Sequence, residues 1–287
     1  MLVRIMELTA LLPLAIAFIM FSLGLNLKIS DFTRIFTQPK DIIIGLFSQL
    51  VILPVFAFTL IIIIFPNISP ELAVGVMIIA AVPGGATSNM FTSLSKGDVP
   101  LSISLTAITS LICIISIPLI AIYSYNYFLQ TNIEVDTTRK SLELFGIVTV
   151  PTIIGMLVNN FFNNFAISFE SKAKIISIIL LALVIIGAVL KDLSNVGLYF
   201  KQSGLITLIL NLSMMIIAFY IGKFFVSSFK QTKTFIYELG LQNGTIAIFV
   251  AQNIFGDQIF AIPAITYSLI MFFTSIVSLY FIKNKES

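Results

Sequence analysis

The stretch Glu238-Leu239-Gly240-Leu241-Gln242-Asn243-Gly244 holds the most concentrated chemistry in the chain. It sets one carboxylate, two side-chain amides and two glycines inside an apolar run, about Thr234 to Phe255, long enough to cross a bilayer. A carboxylate at bilayer depth costs on the order of 3 kcal/mol on insertion scales, so it marks a functional site by default. The glycines predict a broken helix, which lipid tolerates only where backbone is buried in protein or lines a cavity. A second stretch has the same character: Val82-Pro83-Gly84-Gly85 interrupts an apolar run, and Ala86-Thr87-Ser88-Asn89 follows it. Free carbonyls at the end of a half-helix suit a cation, and free N–H groups at the start of the next suit an anion. Between the two breaks, Ser102, Thr106, Thr109 and Cys113 fall at i, i+4, i+7 and i+11, on one face of a helix.

Each feature also has a plainer reading. Pro-Gly-Gly alone kinks many membrane helices, and Glu238 could sit at an interface beside Lys233. The Ser and Thr hydroxyls could serve their own helix's carbonyls or hold helices together. Gln49 alone is a weak signal, Cys113 reads as a small core residue, and Asp98 and Asp257 as turn or interface residues. The balance shifts because two polar breaks occupy matching places in the chain.

The elements that carry these residues follow from composition. Of the 287 residues only 10% are charged, against about a quarter in a soluble protein, and mean hydropathy is +1.08. This is an all-α polytopic membrane protein. One cysteine excludes a disulfide framework, and the absence of histidine removes histidine bases, metal sites and proton relays together. No nucleic-acid partner is expected of a chain whose basic residues serve to orient it in the bilayer.

Nine spans are expected, at about Leu8–Leu27, Ile42–Phe65, Leu72–Leu94, Val99–Tyr123, Leu144–Val158, Ile175–Leu190, Leu205–Phe225, Thr234–Phe255 and Ile259–Ile282. Loops after the odd-numbered spans hold most of the Lys and Arg, among them Lys28, Arg34, Lys40, Lys172, Lys174, Lys223, Lys230, Lys233, Lys283 and Lys285. The opposite side holds Arg4, Arg139, Lys140, Lys191 and Lys201. That bias places the N-terminus outside and the C-terminus in the cytoplasm. Residues 1–128 form a first four-span repeat broken at 83–89, and residues 129–172 a loop and connector span. Residues 173–287 form a second repeat of inverted topology, broken at 238–244. Paired Gly/Pro-interrupted segments in two halves point to a transporter binding site.

Phe21-Ser22-Leu23-Gly24-Leu25-Asn26-Leu27, Val82 to Asn89, Lys96-Gly97-Asp98-Val99 and Glu238 to Asn243 together resemble the bile acid:sodium symporter family over nearly the whole chain. The resemblance implies a core domain built on two crossing broken helices, a flatter panel domain, and two Na⁺ beside the crossover. It assigns Ser88, Asn89, Ser102, Thr106 and Glu238 to a first Na⁺. It assigns Gln49, Glu238, Gln242 and backbone carbonyls near Leu239 and Leu241 to a second. The substrate would meet Ala86, Thr87, Asn243 and Gly244. Many members have Gly-Gly-Thr-Ala-Ser-Asn where this chain has Gly84-Gly85-Ala86-Thr87-Ser88-Asn89, and some carry a His-Asn pair where Met271 and Phe272 stand.

The expected function is Na⁺-coupled symport of an organic anion, such as a bile-acid-like steroid, a keto acid or a pantothenate-like precursor. A proton-coupled or facilitative carrier and a non-transporting membrane receptor are the alternatives. An enzyme is the least expected reading, since no nucleophile–base pair or metal-ligand set stands at usable spacing. A composition without Trp or His and rich in Ile, Lys and Asn suggests a bacterium, hence the cytoplasmic membrane.

Overall fold

A computed structural model describes residues 12–131, 136–191 and 193–282, and all regular structure among them is helical. The chain runs α1 (Leu12–Gly24), α2 (Ile29–Thr37), α3 (Pro39–Phe47), a π-turn (Ser48–Ile52) and α4 (Leu53–Ile64). It continues with α5 (Pro70–Ala81), α6 (Ala86–Leu94), α7 (Val99–Leu129), α8 (Thr137–Leu144), a second π-turn (Phe145–Thr149) and α9 (Val150–Phe161). α10 (Asn163–Lys191), α11 (Leu193–Phe225), α12 (Phe229–Gly240), α13 (Gly244–Phe255), a 3₁₀ turn (Gln258–Ala261) and α14 (Ile262–Ile282) complete it.

Among the described residues, five helical stretches are individually long and apolar enough to cross a bilayer. They are Pro39–Ile64, Val99–Leu129, Thr138–Phe161, Phe200–Phe225 and Gln258–Ile282. Two bent pairs meet the same test together: Pro13–Gly24 with Ile29–Thr37, at 60°, and Pro70–Ala81 with Ala86–Leu94, at 61°. Length and apolar composition therefore support five to seven spans, short of the nine expected. Part of the reason lies in the eighth expected span. α12 and α13 have 12 residues each, roughly 18 Å apiece, and α12 opens with Lys230, Gln231 and Lys233. The start of the first expected span and the orienting residues Arg4, Lys283 and Lys285 lie outside the described residues.

Several boundaries differ from expectation for identifiable reasons. The polar segment after α1 contains a nine-residue helix, because Asp31 accepts the Lys28 N–H at 2.7 Å and caps the first turn. α10 begins at Asn163, so Lys172 and Lys174 lie on its first half and not in a loop. The π-turns each precede a proline, Pro54 and Pro151, by two residues. Proline has no N–H to give and crowds the carbonyl one turn earlier, and the widened turn absorbs that conflict.

The interrupted helices sit at the centre. Residues Leu72–Ala81 of α5, Gln231–Gly240 of α12 and Gly244–Ala251 of α13 are buried without interruption. α7 is two-sided. Ser102, Thr106, Thr109 and Cys113 are buried, whereas Leu111, Ile115, Leu119 and Tyr123, at four-residue intervals, form an exposed apolar stripe suited to lipid. α1 packs against α9 and α10, and α5, α7 and α11–α14 pack about the breaks. At one end of the molecule, Asp98 caps α7 through Leu101 N–H at 3.0 Å and pairs with Arg34 of α2 at 2.9 Å. Its own N–H donates to Thr234 Oγ1 of α12 at 2.8 Å.

Candidate ion and substrate site

The two breaks touch. Non-helical backbone spans Val82–Gly85 in one and Leu241–Asn243 in the other, both shorter than the sequence suggests. Ala86–Asn89 form the first turn of α6, and Glu238–Gly240 form the last turn of α12. The Asn243 N–H donates to Pro83 O at 2.9 Å, joining the breaks directly. Glycine permits this approach, since a Cβ on Gly84 would stand 2.6 Å from Glu238 Oε2.

Glu238, buried beside that contact, is met by three neutral hydroxyls. Ser88 Oγ donates to Oε1 at 2.8 Å, Thr106 Oγ1 lies 3.1 Å from both carboxylate oxygens, and Ser102 Oγ also contacts Oε1. Asn89 Oδ1 accepts from the same Ser102 hydroxyl at 2.7 Å. Ser88, Asn89, Ser102, Thr106 and Glu238 therefore form one cluster drawn from α6, α7 and α12. Its proton count is informative. Three hydroxyl protons face Glu238 Oε1 and Oε2 and Asn89 Oδ1, which together offer about six lone-pair sites, while the Gly85 carbonyl already accepts from the Ser88 and Asn89 N–H groups. Lone pairs outnumber protons, and the surplus belongs to hard oxygens carrying one formal charge. That donor set fits a monovalent cation such as Na⁺. Thr109 behaves differently, donating to Leu105 O at 2.7 Å and so serving its own helix.

Gln49, in the first π-turn, donates to Val82 O at 3.0 Å and to Gln242 Oε1 at 2.6 Å. Gln242 Nε2 donates to Leu239 O at 3.0 Å. Gln49, Glu238 and Leu239 line a cavity of about 10 Å³, the scale of a single water or ion. Gln49 Oε1 is buried without a hydrogen-bond partner, an orphaned acceptor of the kind a cation would satisfy. Leu241 and Gln242 stand outside that cavity's lining, and the Leu241 N–H closes onto Tyr237 O. Of the second expected ion set, Gln49, Glu238 and Leu239 come together at one cavity, and Gln242 joins them through hydrogen bonds.

Opposite the cluster lies a cavity of about 360 Å³. Ala86, Thr87, Asn243 and Gly244 all line it, at the starts of α6 and α13. Asn243 Oδ1 caps α13 by accepting the Ile246 N–H at 3.2 Å. Ile19, Leu23, Met90, Ile103, Met271 and Phe272 give the walls an apolar belt. Asn89 belongs both to this lining and to the Glu238 cluster.

Some contributors escaped the sequence reading. Asn211 Nδ2 and Tyr267 Oη donate to Gly240 O at 2.6 and 2.9 Å, so the carbonyl that ends α12 is doubly satisfied. Asn211, a polar residue in an apolar span, was the available signal. Cys113 is buried as expected and also places its Sγ 3.3 Å from Ala81 O at the first break.

A sequence model of the sodium bile acid symporter family matches residues 13–199. The chain belongs to this family. Its curated relatives include a probable chloroplastic sodium/metabolite cotransporter of Oryza sativa subsp. japonica, 28% identical over 261 residues, covering 89% of this chain and 60% of the relative. An uncharacterized sodium-dependent transporter of Bacillus subtilis (strain 168) is 27% identical over 255 residues, 88% of this chain and 76% of the relative. The ileal sodium/bile acid cotransporter of Homo sapiens is 27% identical over 275 residues, 91% and 75% respectively. The chain thus spans three fifths of the rice relative's length and about three quarters of the other two. The members of the symporter family named here are transporters and not enzymes.

Proposed function

We propose that this chain is a Na⁺-coupled symporter that carries an organic anion across the cytoplasmic membrane by alternating access. The observation that carries the reading is the convergence of Ser88, Asn89, Ser102 and Thr106 on the buried Glu238, where two broken helices meet. In this reading those five residues hold one Na⁺. Gln49, Glu238, Gln242 and the carbonyls of Leu239 and Leu241 serve a second. Glu238 supplies the negative charge both ions share. The orphaned Gln49 Oε1 and the small cavity beside it support the second site. Sodium dependence in the names of the Bacillus and human relatives agrees with the choice of ion.

The acid group of the substrate would meet the N-terminal N–H groups of α6 and α13, near Ala86, Thr87, Asn243 and Gly244, where both helix dipoles favour an anion. A bile-acid-like steroid, a keto acid or a pantothenate-like precursor suits a cavity of this size and apolar lining. Nine spans arranged as inverted repeats, with the N-terminus outside and the C-terminus in the cytoplasm, complete the proposal. The layer of α1, α9 and α10 would rock against the helices around the breaks. The cavity is lined by Asn26, Ser93 and Val99, beside loops assigned to the cytoplasm, which supports an inward-open form. Two Na⁺ with a monoanion move one net positive charge, a gain of roughly 2.3 kcal/mol per 100 mV.

Glu238→Gln tests the reading. Purified variant and parent are compared by thermal unfolding in NaCl, KCl and choline chloride at constant pH and ionic strength. The parent is expected to gain stability with Na⁺ alone, and the variant to fold yet lose that gain. An undiminished Na⁺ response in the variant overturns the central claim, and equal responses to all three cations in the parent favour proton coupling.

A further inference from the structure

The 360 Å³ cavity has a second polar pole. Glu170, Lys174 and Ser177 fall at i, i+4 and i+7 on α10, and all three line it. Lys172, two residues before Lys174, is exposed but absent from the lining, so the helix presents one basic side chain to the cavity and turns the other away. Lys174 lies eleven residues into α10, roughly 17 Å from the hairpin that joins it to α9.

Its neighbours leave it available. Glu170 stands four residues earlier, the favourable order for a helical ion pair, yet the described ion pairs are Arg34–Asp98, Arg139–Glu143 and Lys140–Glu143. Neither Glu170 nor Lys174 takes part in a described hydrogen bond, and Ser177 Oγ is buried without a partner. The same cavity is lined by the apolar side chains of Ile19 and Leu23 on α1, which packs against α10, and by Met90, Ile103, Met271 and Phe272. It thus offers anion-seeking groups on α10 and at the starts of α6 and α13, with hydrocarbon contact beside them.

We propose that Lys174 determines substrate specificity, and that the substrate is an organic dianion: two acidic groups joined by an apolar segment. One acid would sit at the half-helix starts. The other would pair with the Lys174 ammonium and accept from Ser177. Glu170, one turn away on the same face, repels that second acid, so the preference for a dianion rests on the Lys174 ammonium and the Ser177 hydroxyl outweighing it. This inference rests on the transport reading above. It changes one of its consequences: a dianion carried with two Na⁺ moves no net charge, unlike a monoanion.

The test uses matched probes, saturated dicarboxylates of four to eight carbons and the monocarboxylates of equal length. Their apparent Kd is measured by thermal shift of the full-length protein in saturating NaCl and in KCl. A charge-assisted contact is worth about tenfold in affinity. At one chain length the parent should bind the dicarboxylate about tenfold tighter than its monocarboxylate. Lys174→Met should erase that excess without changing the monocarboxylate Kd or the Na⁺ response, and Lys174→Arg should restore it. Equal binding of both acid classes by the parent overturns the inference, as does a dicarboxylate excess that survives in Lys174→Met. Either result leaves Na⁺ coupling standing if the Na⁺ response persists, whereas loss of Na⁺ dependence in the parent strikes the transport reading itself.

Discussion

Thr106 and Thr109 allow the ion site to be tested with one substitution made twice. They lie three residues apart on α7, with side chains almost completely buried at 0% and 2% exposure. Thr106 Oγ1 is 3.1 Å from both oxygens of Glu238, whereas Thr109 Oγ1 donates to carbonyls of its own helix at 2.7 and 3.2 Å. Valine replaces the hydroxyl with a methyl of similar size, so neither change opens a cavity. A hydrogen bond to a charged group is worth about 1.5–3 kcal/mol, and the same hydroxyl is a proposed Na⁺ ligand. Thr106→Val should therefore weaken Na⁺ by about 10- to 150-fold. Thr109 also lines the small cavity beside Gln49 and Glu238, but its hydroxyl bonds only carbonyls of its own helix, so Thr109→Val should leave the Na⁺ midpoint within about twofold. The assay is the unfolding temperature against Na⁺ concentration, with K⁺ balancing ionic strength. Equal effects of the two substitutions, or an unchanged midpoint in Thr106→Val, would refute the geometry of the site.

Gly84→Ala places a methyl 2.6 Å from Glu238 Oε2, and overpacking of this kind costs about 1–3 kcal/mol; the same titration should show both a lower starting temperature and a weakened Na⁺ response. Asn211→Leu removes one of the two donors to Gly240 O and the acceptor for Thr274 Oγ1 at 2.6 Å, so unfolding should come about 1–3 kcal/mol earlier in NaCl and KCl alike. Combining it with Tyr267→Phe should cost more than the sum of the single changes, since Gly240 O then loses both donors. Arg34→Gln breaks a partly exposed pair with Asp98 and should cost less than about 1 kcal/mol, measured in denaturant and shrinking with added salt.

What the sequence made legible follows from two kinds of signal. The first is cost. Glu238 stands out because lipid penalises a carboxylate, and the penalty depends on residue type alone. The second is local periodicity. Ser102 and Thr106 share a helix face whatever surrounds the helix, and Ser88 and Asn89 come within one helical turn of Pro83-Gly84-Gly85. Features that depend on distant partners were not legible. Nothing near Gly240 announces that Asn211 and Tyr267, from α11 and α14, converge on its carbonyl. The π-turn at Gln49 was not legible, because it depends on how the folded helix accommodates Pro54. Charge density misled at α10, where Lys172 and Lys174 read as loop residues although they continue the helix that carries Glu170. Their alternation places Glu170 and Lys174 on the cavity side and Lys172 away from it. Length and apolar composition support five to seven spans and not nine in part because a helix broken into 12-residue halves lacks the unbroken apolar length by which spans are recognised.

The position of Glu238 also explains how ion and substrate could depend on one another. Its backbone belongs to the last turn of α12, while its oxygens are held by Ser88 of α6 and by Ser102 and Thr106 of α7. Without a cation, those few hydroxyl protons face more lone pairs than they can fill. A bound cation would relieve the shortage, releasing the hydroxyls to present lone pairs and tightening three elements around one point. The start of α6 would then be set against the start of α13, with the Asn243–Pro83 hydrogen bond closing the seam. Those starts are the proposed surface for the acid group. Asn89 joins the two events physically, with Oδ1 in the ion cluster and its residue in the cavity wall. By linkage, whatever factor Na⁺ adds to substrate affinity, substrate must add to Na⁺ affinity. A coupling of 1–3 kcal/mol, typical of such linkage, is about the worth of one or two charge-assisted hydrogen bonds. The cluster contains enough of them for coupling to arise from their rearrangement alone, with no larger change in the surrounding helices.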